Sequence, residues 1–297
     1  MHLIVPNLGY HPDHLGGACR YTTELCERLA RRGHRIEAIY PATPEHPPGT
    51  EVRHCVVLHR HGNADGFFLG NWHAENRQAR ALIEQIFARA QKPPLLLLSH
   101  AYYWPAVAPY RQRTAFFIHG PWGREFRFSR QTRVRGWLKR CFDEVIARRL
   151  DAIERTALRR VRQVQTTSRY MMAQLPIWHG NFNTPVIGVG GGVNLVQFKP
   201  DPARQAYRRE MGVGENDFVF LTVRRLDPRM GLLRCSKRSR WLRRICRKPD
   251  CGSPGAAPRK PPCAGGSKNL AWPAGSNCSA SFRMKFCRVS SAPPIAP

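Results

Sequence analysis

The chain has 297 residues and a formal net charge of +28, long enough for one large domain or two ordinary ones with a sizeable core. Gly and Pro follow no fixed period, which excludes collagen-like chains. Apolar runs such as Leu95 to Leu98 fall far short of the roughly 18 to 20 residues a spanning helix needs, and MHLIVPNLGY lacks the basic segment, apolar stretch and cleavage site of an export signal.

MHLIVP reads as a short buried strand. A loop punctuated by Gly9, Pro12, Gly16 and Gly17 follows. A helix is predicted from about Tyr21 to Arg32, with Leu25, Cys26 and Leu29 on one face and Gly33 as its C′ residue. HRIEAIYP is a second strand and RHCVVLHR a third. Strand, glycine turn, helix and strand in that order predict a parallel doubly wound sheet. Glu75 to Gln91 reads as a helix with Ala79, Leu82, Ile83, Ile86 and Phe87 at helical spacing. PLLLLSH and TAFFIHG are short apolar runs ending in polar residues, the look of fully buried parallel strands. A long helix is expected from about Thr132 to Arg162, with its stripe running Val134, Trp137, Leu138, Cys141, Phe142, Val145 and on to Val161. Glu144/Arg148 and Asp151/Arg155 are expected as i, i+4 pairs on its Arg-rich face. VRQVQTTS is a strand, Ser168 a cap for the short helix after it, and TPVIG a further strand. PARQAYRREMGV and DFVFLTVRRL read as one more helix and strand.

Composition breaks after Gly231. Residues 232–297 hold 14 basic residues and a single acid, Asp250, together with six of the ten cysteines. Pro, Gly and Ser make 23 of these 66 residues, while Leu, Ile, Val and Phe make nine, too few to offset the backbone entropy of a core. The segment is expected to be disordered.

Gly16-Gly17, between a strand and a helix, suits a phosphate at a helix N-terminus, or is a bare structural turn. A dinucleotide site also wants an acid about 20 residues on. Pro41 to Thr43 stand there, which counts against NAD. His119 ends a buried strand, where α/β sheets bind ligands; it is either a donor to a sugar hydroxyl or phosphate, or a loop histidine satisfied by backbone. His100 has a similar, weaker placement. Arg224-Arg225 suits a diphosphate or is a solvated strand end. His54, His59, His61 and His73 lack zinc spacing and read as exposed loop residues. The cysteines form no CxxC pair, so no metal site and no disulfide framework is expected, and the four before residue 232 are placed on core or helix positions.

Taken in order, GGACRYTTELCERLARRGHRIEAIYP, FFIHGPWGREF, VQTTSRYMMAQL, PVIGVGGGVNLVQFKP and FLTVRRLDPRMG resemble the retaining glycosyltransferases of family 4, which have the GT-B fold. The resemblance spans residues 1 to about 231. It implies an α/β chain: a Rossmann-like acceptor-side domain over 1–183, an interdomain segment over 184–200, and over 201–231 the incomplete start of a second, donor-binding Rossmann-like domain. It further implies that Gly16 and Gly17 approach the donor phosphate, that His119 contacts the transferred sugar in the cleft, and that Gly192 and Asn194 belong to the interdomain segment, with Asn in place of the family's Asp. By the same resemblance Arg225 holds the diphosphate, with Arg229 beside Met230 where the family has Lys. No cofactor or metal is implied, since the nucleotide sugar is a co-substrate and Arg with helix N-termini meets the leaving group's charge.

The implied function is transfer of a sugar from a nucleotide-diphospho sugar to a glycan or lipid-linked acceptor, with retention, in surface polysaccharide or glycolipid synthesis. The implied place is the cytoplasm, with peripheral contact at the inner membrane face and no specific nucleic acid. The family's Glu-x7-Glu pair has no counterpart after residue 231, since Glu215 is the last Glu. A frameshift near residues 230–234 and an inactive chain are therefore expected. The alternatives are a non-catalytic acceptor-domain fragment, and a basic binder of nucleic acid or membrane that uses a Leu232–Lys248 amphipathic helix.

Overall fold

The computed structural model describes residues 1–62, 71–131, 136–210, 212, 221–223 and 281–283. Two compact units divide after Gly192. The first contains β1 (His2–Pro6), α1 (Gly17–Arg31), β2 (Arg35–Pro41), β3 (Gly49–Arg53), β4 (Val56–His61), α2 (Trp72–Arg89), β5 (Leu95–Leu98), α3 (Trp104–Val107), β6 (Thr114–Ile118), α4 (Trp122–Gln131), α5 (Trp137–Arg160), β7 (Gln163–Thr166), α6 (Arg169–His179) and β8 (Val186–Gly188).

The strands form one sheet in the order β3-β4-β2-β1-β5-β6-β7-β8. Every pairing is parallel except β3 with β4. This is the predicted Rossmann-like sheet with helices on both faces. Side chains alternate across it as a two-residue period requires. Leu3, Val5, Ile36, Ala38 and Tyr40 join Cys26 and Ala30 of α1 in one core layer. Ile4 and Ile39 face the opposite way, with Ala79, Ile83 and Ile86 of α2 and Ala157 and Leu158 of α5.

Local chemistry sets the element ends. Gly33 sits at φ 80°, its N–H on the Ala30 carbonyl while the His34 N–H reaches the Leu29 carbonyl. This pair of bonds is a Schellman stop that a side chain at Gly33 would strain. Ser168 accepts from the Met171 N–H at 3.1 Å and starts α6.

Several expectations are corrected. RHCVVLHR is not one strand: His54 and Cys55 take φ 48° and 63°, turning the chain between β3 and β4. Two left-handed residues are the mark of a two-residue hairpin turn, but the usual Asn-Gly signal is missing here. Cys55 is thus exposed, as is Cys141, off the core. His59 and His61 are buried in β4 instead of exposed in loops.

The stretch predicted as one long helix is preceded by a separate helix, α4. Gly123 lets α4 lie close on α5, since a Cβ there would come within 2.7 Å of the Ala147 carbonyl oxygen. That approach carries Arg127 to Glu144 at 2.9 Å and to Asp151 at 2.7 Å, so Asp151 pairs with Arg127 and not with Arg155. Glu144 still meets Arg148 at 3.0 Å. The expected stripe of α5 is buried only from Ala147 onward, and Trp137, Leu138, Phe142 and Val145 are exposed. A 24-residue helix runs about 36 Å, roughly twice the length of the five-residue strands beneath it, so its first turns overshoot the sheet. Val134 lies outside the described residues.

In the second unit, α7 (Arg204–Glu210) and β9 (Leu221–Val223) fall within the segments predicted as helix and strand. β9 pairs antiparallel with β10 (Ser281–Arg283). The remainder of 232–297, including Leu232–Lys248, lies outside the described residues.

Candidate functional site

From β1 the chain builds β2 on one side, then returns to lay β5 on the other side of β1. Strand order reverses at this point, and open α/β sheets bind ligands beyond the carboxyl ends of the strands at such a place. Asn7 follows β1, Ser99 and His100 follow β5, and His119 follows β6. Each begins the polar chain after an apolar strand.

The loop from Asn7 to Gly16 is held by side chains. Asn7 donates through Nδ2 to the Gly9 carbonyl at 2.7 Å and accepts from the Leu8 N–H at 2.8 Å. The His11 N–H donates to Thr23 Oγ1 at 2.9 Å. The Asp13 carboxylate is buried and receives Arg53 at 2.7 Å and the Tyr40 hydroxyl at 3.0 Å. Burial opposes its ionisation, but the bonds from Arg53 and Tyr40 win and hold the carboxyl below its ordinary range. The anchored loop presents Gly16 at φ 153°, ψ 152° as the N-cap of α1, with Gly17 as the exposed first residue. No side chain caps this end, its first turn has no acid, and a Cβ on either glycine would meet nothing within 4 Å. Free N–H groups, open space and a positive dipole end suit a phosphate.

His119 stands beside the second turn of α1. Its ring meets Phe117 at 4.6 Å and Tyr21 at 5.6 Å between centroids. Its Nε2 lies 3.1 Å from Ser99 Oγ, which lies 2.8 Å from Thr22 Oγ1. Burial lowers its pKa to about 4. Burial, reinforced by His119, lowers that of His100 to about 3. Both rings are therefore neutral at pH 7 and act as hydrogen-bonding groups without charge. His100 is committed to the fold: its Nδ1 accepts from the Tyr102 N–H at 3.1 Å, and its ring meets Trp122 edge-on at 4.8 Å. His119 Nδ1 makes no hydrogen bond among the described residues.

The turn after His119 is braced from behind. The Trp122 N–H reaches both oxygens of Glu154 at 3.2 Å, and Glu154 faces His179 Nε2 at 3.2 Å. Burial pushes the Glu154 carboxyl upward.

The structure thus brings His119 to α1, whose N-terminus Gly16 and Gly17 form. Gly192 is exposed at the end of the first unit. Asn194 lies in the second, where its Oδ1 accepts from the Val196 N–H at 3.1 Å and its carbonyl from the Phe198 N–H at 2.8 Å. Arg224, Arg225 and Arg229 lie outside the described residues. Residue patterns did not single out Thr22, Tyr21, Ser99 or Trp122. For Ser99 the available signal was its place as the first polar residue after LLLL. Among the described residues no group of three His, Cys, Asp or Glu is placed to hold a metal, and no helix is long and apolar enough to cross a membrane.

The description "Glycosyl transferase 4-like domain" matches residues 16–190. No curated protein sequence matches the chain. Sucrose-phosphate synthase from Thermosynechococcus elongatus superposes with a TM-score of 0.62 at 17% identity, over 82% of this chain and 60% of that one. The catalytic domain of starch synthase IV from Arabidopsis thaliana, bound to ADP and acarbose, superposes with a TM-score of 0.50 at 14% identity, over 82% and 66%. The chain therefore spans about 60% of the length of the synthase it matches. At these identities the likeness is one of fold, the Rossmann-like fold of GT-B glycosyltransferases. The matched domain covers more than half of the chain, from the glycine turn through His119 to β8, and the chain belongs to the glycosyl transferase 4-like family.

Proposed function

We propose that the chain comes from a metal-independent, retaining glycosyltransferase that moves a sugar from a nucleotide-diphospho sugar to a glycan or lipid-linked acceptor, in surface polysaccharide or glycolipid synthesis. The observation that carries this reading is a neutral His119 placed beside a helix whose N-terminus is open and uncapped. Breaking the bond between the sugar and the diphosphate leaves negative charge on the leaving group. The first turn of α1 at Gly16 and Gly17, with Arg225 and Arg229, would stabilise that charge without a metal. His119 would donate to a hydroxyl of the transferred sugar, and Gly192 and Asn194 would border the cleft. Peripheral membrane contact at the inner face is supported by the exposed Trp137, Leu138, Phe142 and Val145 among Lys139 and Arg140. Cosedimentation with anionic vesicles, lost in Trp137→Glu, tests it.

Residues 232–297 hold no Glu, so the family's Glu-x7-Glu pair is missing and sugar transfer by this 297-residue chain is expected to be negligible. The test begins with the gene, read in all three frames across codons 225–240. A frame that encodes alternating helices and strands with a Glu-x7-Glu pair is expected. Protein made from that frame should release nucleoside diphosphate from a nucleotide sugar, and His119→Gln should reduce turnover about a hundredfold or more. Absence of release from every common nucleotide sugar by that protein would overturn the proposal.

A further inference from the structure

We infer that Ser99, oriented by Thr22, fixes His119 as its Nδ1–H tautomer, so that the ring meets its ligand as a neutral hydrogen-bond donor. Three groups from three elements form the chain: Thr22 on α1, Ser99 after β5 and His119 after β6. The separations are 2.8 Å between Thr22 Oγ1 and Ser99 Oγ, and 3.1 Å between Ser99 Oγ and His119 Nε2. Hydrogens can run along it in two directions. In the first, Thr22 donates to Ser99, Ser99 donates to Nε2, and the ring proton stays on Nδ1. Each hydroxyl hydrogen then has an acceptor. In the second, Nε2–H donates to Ser99 and Ser99 donates to Thr22, which leaves the Thr22 hydrogen with no acceptor among the described residues. A helical threonine often gives that hydrogen to the carbonyl four residues back, as Thr156 does to Ala152 at 2.7 Å. Thr22 makes no such bond to Ala18. Thr22 and Ser99 are each 2% exposed, so both hydroxyls are shut off from bulk water. A buried hydroxyl without a partner is costly, so the first direction wins.

The consequence is a rule for the ligand. A ring edge that can only donate selects an oxygen lone pair, as on a sugar hydroxyl or a phosphate oxygen, and gains nothing from a group that can only donate. This use of the edge rests on the reading of His119 as a sugar contact. The tautomer itself does not.

The experiment is a long-range proton–nitrogen correlation spectrum of the full 15N-labelled chain at pH 7, with His119 identified by the signals lost in His119→Gln. The expected result is the Nδ1–H pattern in at least about tenfold excess, equivalent to about 1.4 kcal/mol. Ser99→Ala should let the Nε2–H pattern appear, and Ser99→Thr, which keeps the hydroxyl, should retain the wild-type pattern. A wild-type Nε2–H ring would overturn the inference, as would a Ser99→Ala spectrum with an unchanged ratio. Should Ser99→Ala fail to fold, the wild-type pattern decides alone. Titration of the protein made from the restored reading frame with UDP-glucose, or with the nucleotide sugar that protein cleaves, separates the two readings. If His119 is the Nδ1–H tautomer and its signals do not move, the hydroxyl chain stands and the sugar contact falls.

Discussion

Glu37 on β2 offers the sharpest test of the energetics. Its carboxylate is completely buried, yet four cationic or imidazole groups meet it: Arg89 from the end of α2, His59 at 2.8 Å, His2 at 2.9 Å and Arg35 at 3.1 Å. Burial alone would raise its pKa, but the hydrogen bond from His59 and the charge and bond of Arg89 reverse the sign and hold it at about 2, against an ordinary 4.5. At about 1.4 kcal/mol per tenfold change in proton affinity, the depression corresponds to about 3 kcal/mol of folding stability at pH 7. A depressed carboxyl stabilises above its unfolded value, so this contribution is lost as pH falls from 4.5 towards 2. Glu37→Gln keeps the size and removes the charge. Urea unfolding followed by circular dichroism should place the variant about 3 kcal/mol below the parent at pH 7, with the gap under about 1 kcal/mol at pH 2.5. His61, His100 and His119, with pKa values lowered by burial, also destabilise the fold as pH drops below 6.5, but equally in both proteins. A gap below about 0.5 kcal/mol at pH 7, or one that persists unchanged at pH 2.5, would refute the reasoning.

Two further outcomes are expected. Gly123→Ala should cost about 1 to 3 kcal/mol in thermal unfolding, because its Cβ would press on Asp151 and on the Ala147 carbonyl of α5. A melting temperature equal to the parent's would show that α4 does not sit this close. Cys55→Gly should raise stability by about 0.5 to 1 kcal/mol, since the turn holds an L-residue at φ 63° that glycine adopts freely. Destabilisation instead would mean that the turn is not left-handed.

Elements whose causes are local were legible before the fold was known. The apolar runs LIVP, LLLL and AFFI became adjacent parallel strands β1, β5 and β6, because a continuous apolar run needs cover on both faces. Gly33 and Ser168 marked their helix ends because capping is a contact within one turn of chain. The β3–β4 hairpin was missed because its turn residues are His and Cys, whose left-handed geometry is imposed by sheet pairing. His59 and His61 were misplaced for the same reason: with the turn unseen, nothing in HRHG marked β4 as buried.

Sequence alone determined the fold class, the family, and the candidates Gly16, Gly17 and His119. Each of these rests on residue type and order along the chain. Tertiary structure decided the rest: that Asp13 and Arg53 anchor the glycine loop, that Asp151 turns to α4, that Glu37 gathers four partners, and that Thr22, Ser99 and His119 meet. Apart from Arg35, two positions from Glu37, those partners lie 20 to 77 positions apart in sequence, so only the packing of strands and helices brings them within hydrogen-bonding distance.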